Sequence, residues 1–321
     1  MTASTQEPSI RATGLTKRFG AVQAIASITF TVSPGELFGL IGPDGAGKTT
    51  VLRVLAGVMA VDAGGVLVEG VDVVAHPEEV RQRISYMPQR FGLYEDLTVD
   101  ENIRFFAEVF EVPRRLREER TSRLLAASGM LRFRKHLAGE LSGGMKQKLG
   151  LTCSLVHAPR IVLLDEPTTG VDPVSRREFW QILYGLRTEG ASIVISTAYL
   201  DEADRCDRLA LIYNGALRYC EAPDALRARM PGAIVEIGTA AARSARDLLG
   251  SAPGVHGVLM VGDGIHVHVD DAPKRIPGLE RALVAKGIEH TPVREIAASM
   301  EDLFVILLGD TPSGAPGAPL S

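Results

Sequence analysis

Residues 40–50 read Leu40-Ile41-Gly42-Pro43-Asp44-Gly45-Ala46-Gly47-Lys48-Thr49-Thr50, a G-x-x-x-x-G-K-[ST] run set between the apolar stretch 37–41 and the apolar-periodic stretch 51–55. A strand, a glycine-rich turn and a helix in that order make a phosphate cradle. The glycines let main-chain N–H groups turn inward, the helix N-terminus adds partial positive charge, and Lys48 reaches the outer phosphates of a nucleotide. Thr49 offers its hydroxyl to Mg2+. Gly42, Pro43, Asp44, Gly45, Ala46, Gly47, Lys48, Thr49 and Thr50 are therefore candidate nucleotide-binding residues. A second apolar run, residues 161–165 (IVLLD), ends in Asp165 and Glu166. That suits a buried strand delivering one carboxylate to Mg2+ and a second to an attacking water.

Outward from these two runs, short β-like segments at 37–41, 85–87, 161–165, 192–196 and 209–213 alternate with longer helical ones. This is the rhythm of an α/β domain with a mostly parallel sheet. Residues 95–159 read as helical, with the charged runs 114–120 and 132–136 as solvated helix faces. After Met230-Pro231-Gly232 a second rhythm begins. It reads as a strand at 233–237, a helix at 240–249, a hairpin of 255–261 and 265–269 around Gly262-Asp263-Gly264, a helix at 276–286, a strand at 290–295 and a helix at 300–308. The expected organisation is a nucleotide-binding domain over 1–232 with a helical subdomain at about 90–158, and a small α+β accessory domain over 233–309. The Pro/Gly/Ser-rich residues 310–321 are expected to be disordered, for want of apolar side chains to offset ordering entropy.

Composition narrows the classes. The 321 residues carry 35 Lys+Arg against 39 Asp+Glu, a net charge of −4, so no strong basic field exists to hold phosphodiester backbone and nucleic acid is not an expected partner. Cys153, Cys206 and Cys220 are scattered and form no C-x-x-C pair, which predicts reduced thiols rather than a disulfide framework or zinc site. No stretch approaches the roughly 18 apolar residues of a membrane span, and residues 1–11 have no apolar leader core, so a cytoplasmic location is expected.

Between the two runs lies Leu141-Ser142-Gly143-Gly144-Met145-Lys146-Gln147. With all three in order, the sequence resembles the ATP-binding cassette (ABC) ATPases, whose signature is LSGGQ or a close variant. The resemblance covers roughly residues 8 to 309. It implies an α/β P-loop NTPase fold with a RecA-like core and helical subdomain, and ATP with Mg2+ as cofactors. It also implies a head-to-tail dimer in which Ser142, Gly143 and Gly144 bind the outer phosphate held by the other subunit. Phe19 sits where the family stacks an aromatic on adenine, Gln89 where it places a glutamine near Mg2+, and Asp172 where an aspartate crosses the dimer interface. Lys48, Gln89 and Glu166 are then the implied catalytic residues, and Thr49, Gln89 and Asp165 the implied metal ligands.

One position departs from the family pattern. Family members place a histidine in S-T-H after the strand that follows the acidic run, whereas this chain reads Ser196-Thr197-Ala198-Tyr199. A methyl group cannot hydrogen-bond a phosphate, so slow hydrolysis in its own site is expected. The motifs look most like the first half of tandem ABC-2-type exporter ATPases, which implies integral-membrane ABC-2-type permease subunits as partners and a second ABC ATPase subunit, identical or hydrolysis-competent and different. The cassette would sit on the inner face of the cell membrane through that permease. Ser299-Met300-Glu301-Asp302-Leu303-Phe304 is similar to the segment closing the accessory domain of drug-exporter and ABC-2-type ATPases. The alternatives are a regulatory or non-transport cassette that binds ATP and rarely hydrolyses it, or an importer subunit. No residue in the sequence specifies a cargo.

Overall fold

The computed structural model describes residues 7–309; the tail expected to be disordered, 310–321, lies outside the described residues. Two compact units follow one another, residues up to Glu221 and residues from Ala222.

The first unit opens with β1 (Ile10–Phe19), β2 (Val22–Val32), β3 (Leu37–Ile41), α1 (Lys48–Leu55), β4 (Ala63–Val68) and β5 (Val71–Asp72). Next come α2 (Pro77–Arg83), β6 (Ile84–Met87), α3 (Val99–Val109), α4 (Arg114–Ala127), α5 (Gly143–Leu155) and β7 (Ile161–Asp165). It closes with α6 (Pro173–Thr188), β8 (Ser192–Thr197), α7 (Leu200–Ala203), β9 (Arg208–Tyr213) and β10 (Ala216–Glu221). Six strands form one sheet in the order β10-β9-β3-β8-β7-β6, parallel except for the β9–β10 hairpin. Its central strands are buried along their whole length, as in Ile161, Val162, Leu163 and Leu164, which is why they read as continuous apolar runs. The order brings the C-terminal ends of β3, β7 and β8 side by side, where an open α/β sheet presents its ligand crevice.

A second, antiparallel sheet, β2-β1-β4-β5, packs a shared core of Ile10, Leu15, Ile28 and Phe30 with Leu52 and Leu55 of α1. Each of these side chains contributes about 1.5–3 kcal/mol on burial. This sheet had no counterpart among the expected strands. Register shifts between Ala12 and Leu15 and again between Leu15 and Lys17 break the alternation that would have marked β1.

Helix starts follow their caps. Thr98 and Glu101 close a reciprocal capping box on α3, Ser142 accepts from Met145 N at the start of α5, and Asp172 accepts from Val174 N and Ser175 N before Pro173 opens α6. Helix α1 differs: Gly47 precedes it at φ +107° with no side-chain cap, which leaves the first-turn N–H groups for a ligand.

The second unit contains α8 (Pro223–Ala228), β11 (Ala233–Gly238), α9 (Ala242–Leu249), β12 (Val255–Val261), β13 (Gly264–Val269), α10 (Ala272–Ala285), β14 (Arg294–Ile296) and α11 (Met300–Gly309). The antiparallel order β12-β13-β11-β14 with α9 and α10 on one face is a βαββαβ arrangement. Along β13, Ile265, Val267 and Val269 enter that core. His266 and His268 point to the opposite face, where His266 Nδ1 lies 3.0 Å from both carboxylate oxygens of Asp302 on α11. Helix α10 begins four residues before its expected start because Asp271 caps it through Lys274 N and Pro273 sits in its first turn. Of the expected strand 290–295 only Arg294 and Glu295 pair in the ladder, which Ile296 extends by one residue, since Pro292 has no N–H to donate.

Candidate functional site

The phosphate cradle lies between β3 and α1, and its backbone is tightly enclosed. A β-carbon at Gly42 would strike the carbonyl of Ile212, and one at Gly47 the carbonyl of Ala24, so neither position admits a side chain. Lys48 is 4% exposed. Its Nζ donates to the carbonyls of Gly42 at 2.8 Å and Pro43 at 3.1 Å and lies 3.2 Å from Glu166 Oε1. The carboxylate thus holds the ammonium at the mouth of the loop. Asp44 and Gly45 are exposed at the loop tip, Ala46 is buried beneath it, and Thr50 is half-buried in the first turn of α1.

The parallel register places Asp165 beside Ser196. Thr49 Oγ1 donates to Asp165 Oδ1 at 2.9 Å, and Ser196 Oγ donates to the same oxygen at 2.8 Å. Ser196 also accepts the Glu166 N–H, through Oγ at 3.0 Å and through its carbonyl at 3.2 Å. Glu166 stands at φ +47°, a left-handed conformation that costs a non-glycine residue about 1–2 kcal/mol. Its side chain is bracketed by Lys48 and by Gln89, whose Nε2 donates to Glu166 Oε2 at 3.2 Å. Lys48, Thr49, Gln89, Asp165 and Glu166, expected from linear motifs, therefore meet in one cluster. The hard oxygen donors of Thr49 and Asp165, with the Gln89 amide beside them, are a donor set suited to Mg2+.

Ser196 belongs to this cluster although it carried no assigned role in the sequence. Its signal was its position at a strand end beside the acidic run. Phe19, at the end of β1, is 48% exposed and carries Lys17 Nζ 5.7 Å from its ring centroid. An aromatic face held open in this way suits stacking on a base.

The signature residues are built into a different surface. Ser142 caps α5, Gly143 is exposed, and Gly144 abuts Asp172 and Ser175, where a β-carbon would collide with the Ser175 side chain. Asp172 spends its carboxylate on the Val174 and Ser175 N–H groups at 3.0 and 2.9 Å, and the Ser175 bonds hold its pKa below the usual carboxylate range. Among the described residues no hydrogen bond joins Ser142, Gly143 or Gly144 to the phosphate cradle.

At the switch position Ala198 is exposed, and the next residue, Tyr199, has its ring covered by the Arg176 guanidinium at 4.2 Å. The three cysteines are free. Burial pushes the Cys153 and Cys206 thiols well above their usual range, so neither is a nucleophile. Among the described residues no helix is long and apolar enough to cross a membrane.

Residues 25–169 match the family model described as ABC transporter. The chain is 40% identical over 312 residues to the probable multidrug ABC transporter ATP-binding protein YbhF of Escherichia coli (strain K12), covering 96% of this chain and 53% of that protein. It thus spans about half the length of that relative. It is 32% identical over 311 residues to the daunorubicin resistance ATP-binding protein DrrA2 of Streptomyces coeruleorubidus, covering 94% of this chain and 95% of that protein. A solved structure of the ATP-binding subunit of an ABC transporter superposes with a TM-score of 0.63 at 29% identity, covering 68% of this chain and 92% of that one. A phosphate cradle, acidic strand end and signature helix in this geometry, together with a relative matched at 32% identity over nearly its full length, show that the chain belongs to the family of ABC transporter ATP-binding proteins.

Proposed function

We propose that this chain is the nucleotide-binding subunit of an ABC-2-type membrane exporter, and that it binds MgATP and hydrolyses it slowly in the site it organises. The observation that carries this reading is the coexistence of an assembled Lys48–Glu166–Gln89 and Thr49–Asp165–Ser196 cluster with an exposed methyl group at position 198. The names of the relatives, a multidrug transporter ATP-binding protein and a drug-resistance ATP-binding protein, support export over import.

In this reading the main-chain N–H groups of residues 42–50 and Lys48 hold the phosphates, and Phe19 stacks on the base. Thr49, Asp165 and Gln89 would hold Mg2+, which supplies charge neutralisation at the phosphates. Glu166 orients the attacking water and accepts its proton. Losing the phosphate contact at position 198 slows the step by an amount comparable to removing one oxyanion donor, about 2.7–4 kcal/mol in the barrier. Ser142, Gly143 and Asp172 are exposed and, with Gly144 packed behind them, would face a second cassette and help to complete its phosphate site. Closing and reopening of that pair would drive an integral-membrane permease from the cytoplasmic side, through the region of Gln89 and the helical subdomain. Residues 1–232 would form the motor and 233–309 an accessory domain.

Ala198 also favours a second reading, a regulatory cassette that binds ATP and seldom turns it over. A titration with a fluorescent ATP analogue, followed by light scattering of wild type and Glu166→Gln in MgATP, tests the main proposal. Nucleotide binding with an ATP-dependent mass increase that Glu166→Gln prolongs is the expected result. A chain that binds no MgATP contradicts it.

A further inference from the structure

Behind the cluster lies a carboxylate with no role in the reading above. Glu202, on α7, is 0% exposed, while its neighbours Asp201 and Asp204 face solvent. Its Oε1 accepts from Thr168 Oγ1 at 2.7 Å and from Trp180 Nε1 at 3.1 Å, and Arg176 Nε stands 3.8 Å away. Arg176 also covers the Tyr199 ring and lies 3.6 Å from Asp201. One buried oxygen therefore gathers donors from two separate segments: the turn after β7 and helix α6.

A buried carboxylate is costly, and an apolar residue of similar volume commonly serves stability as well or better. What this carboxylate holds is therefore informative. Thr168 is two residues beyond Glu166, whose left-handed backbone has to be maintained from both sides. On one side Ser196 receives the Glu166 N–H. On the other, Thr169 N donates to the Glu166 carbonyl at 3.2 Å and the Thr168 side chain is anchored on Glu202. We propose that Glu202, acting through Thr168, is a positioning residue for Glu166: it fixes the left-handed turn from which that carboxylate reaches the attacking water. Through Trp180 and Arg176 it also ties that turn to α6, the helix that Asp172 caps.

This inference rests on the reading of Glu166 as the water-orienting base, and its test separates the two. Thr168→Val keeps shape and removes the hydroxyl, and Thr168→Ser restores a hydroxyl. Trp180 is the single tryptophan of the chain, so indole emission reports on the Glu202 contact directly. In the wild type and in an Ala198→His background, Thr168→Val should lower kcat for MgATP about ten- to a hundredfold, because a displacement of about 1 Å costs that much. KM and the affinity for a fluorescent ATP analogue should stay within about twofold. Trp180 emission should change in Thr168→Val, and Thr168→Ser should recover both emission and turnover. A folded Thr168→Val protein with unchanged kcat overturns the positioning role alone. Parallel loss of affinity, kcat and melting temperature that Thr168→Ser does not repair also overturns it, by showing a purely structural contact. If neither wild type nor Ala198→His hydrolyses MgATP, the parent reading fails and the positioning role with it.

Discussion

The phosphate-cradle face and the signature face of the first unit are completed to different degrees by one chain. At the cradle, side chains from β7, β8, α1 and the segment after β6 close on one another, so that Lys48, Thr49, Gln89, Asp165, Glu166 and Ser196 each have a partner within hydrogen-bonding or ion-pair distance. At the signature, Ser142 and Asp172 are turned back to cap their own helices and Gly143 is exposed. A helix N-terminus with an exposed glycine and no bond to its own cradle is a half-site. On the proposed reading, the contrast fits a chain that binds nucleotide at its own cradle and offers its signature face to a second cassette.

Substitutions at the two faces should therefore separate binding from turnover. The largest effect is expected at the cradle. Lys48→Ala removes the ammonium that faces Glu166 and the phosphates, and should abolish hydrolysis, at least a hundredfold in kcat/KM, and weaken nucleotide affinity as well; a filter-binding assay and a phosphate-release assay report the two. At the signature face, Ser142→Arg should leave the affinity of the isolated chain within about twofold while removing ATP-dependent association and lowering turnover about tenfold or more. An equal loss of affinity in both variants would break the contrast. Ser196→Ala takes one donor from Asp165 and one acceptor from the Glu166 N–H, and about a tenfold fall in kcat is expected from misplacement of these groups.

A smaller effect concerns the helical region that carries the signature. Arg134 joins Asp100 of α3 to Glu118 of α4, and its guanidinium pulls the Glu118 carboxyl down to about 2. A lowered carboxylate pKa means stability present above the unfolded value near 4.5 and lost as pH falls toward 2. Glu118 is 72% exposed, so solvent screening limits the pair to about 1 kcal/mol or less. Thermal melts of wild type and Glu118→Gln should differ by a few degrees at pH 7 and converge by pH 2–3. A difference that persists at acid pH would mean that the bridge contributes through packing rather than charge.

The motifs were legible because their chemistry demands fixed spacing: glycines around phosphate, Lys48 and Thr49 at the start of α1, and Asp165 at the end of an apolar strand. The parallel strands were legible for a related reason, since burial on both faces leaves continuous apolar runs. The Glu202 contacts were not. In Ala198-Tyr199-Leu200-Asp201-Glu202-Ala203-Asp204 three acids occur in four positions, and although Glu202-Ala203 matches the end of the family pattern, the sequence does not show which side chains Glu202 meets. Its partners Thr168 and Trp180 lie 34 and 22 residues away. Ser196 was hidden in the same way, since its meaning comes from the register of β7 on β8. The start of α10 was misplaced because Pro277, which lies inside the helix, and Pro273 in its first turn obscured an otherwise regular cap at Asp271.

The central claim is that this chain completes its cradle but lacks the phosphate contact at position 198. Steady-state hydrolysis of MgATP by the purified wild type beside Ala198→His tests it most directly. Slow turnover in the wild type, rising about tenfold or more on restoring an imidazole, is the predicted result. Brisk turnover in the wild type that Ala198→His leaves unchanged would contradict it, and would mean that the exposed Ala198 segment is compensated by the rest of the site.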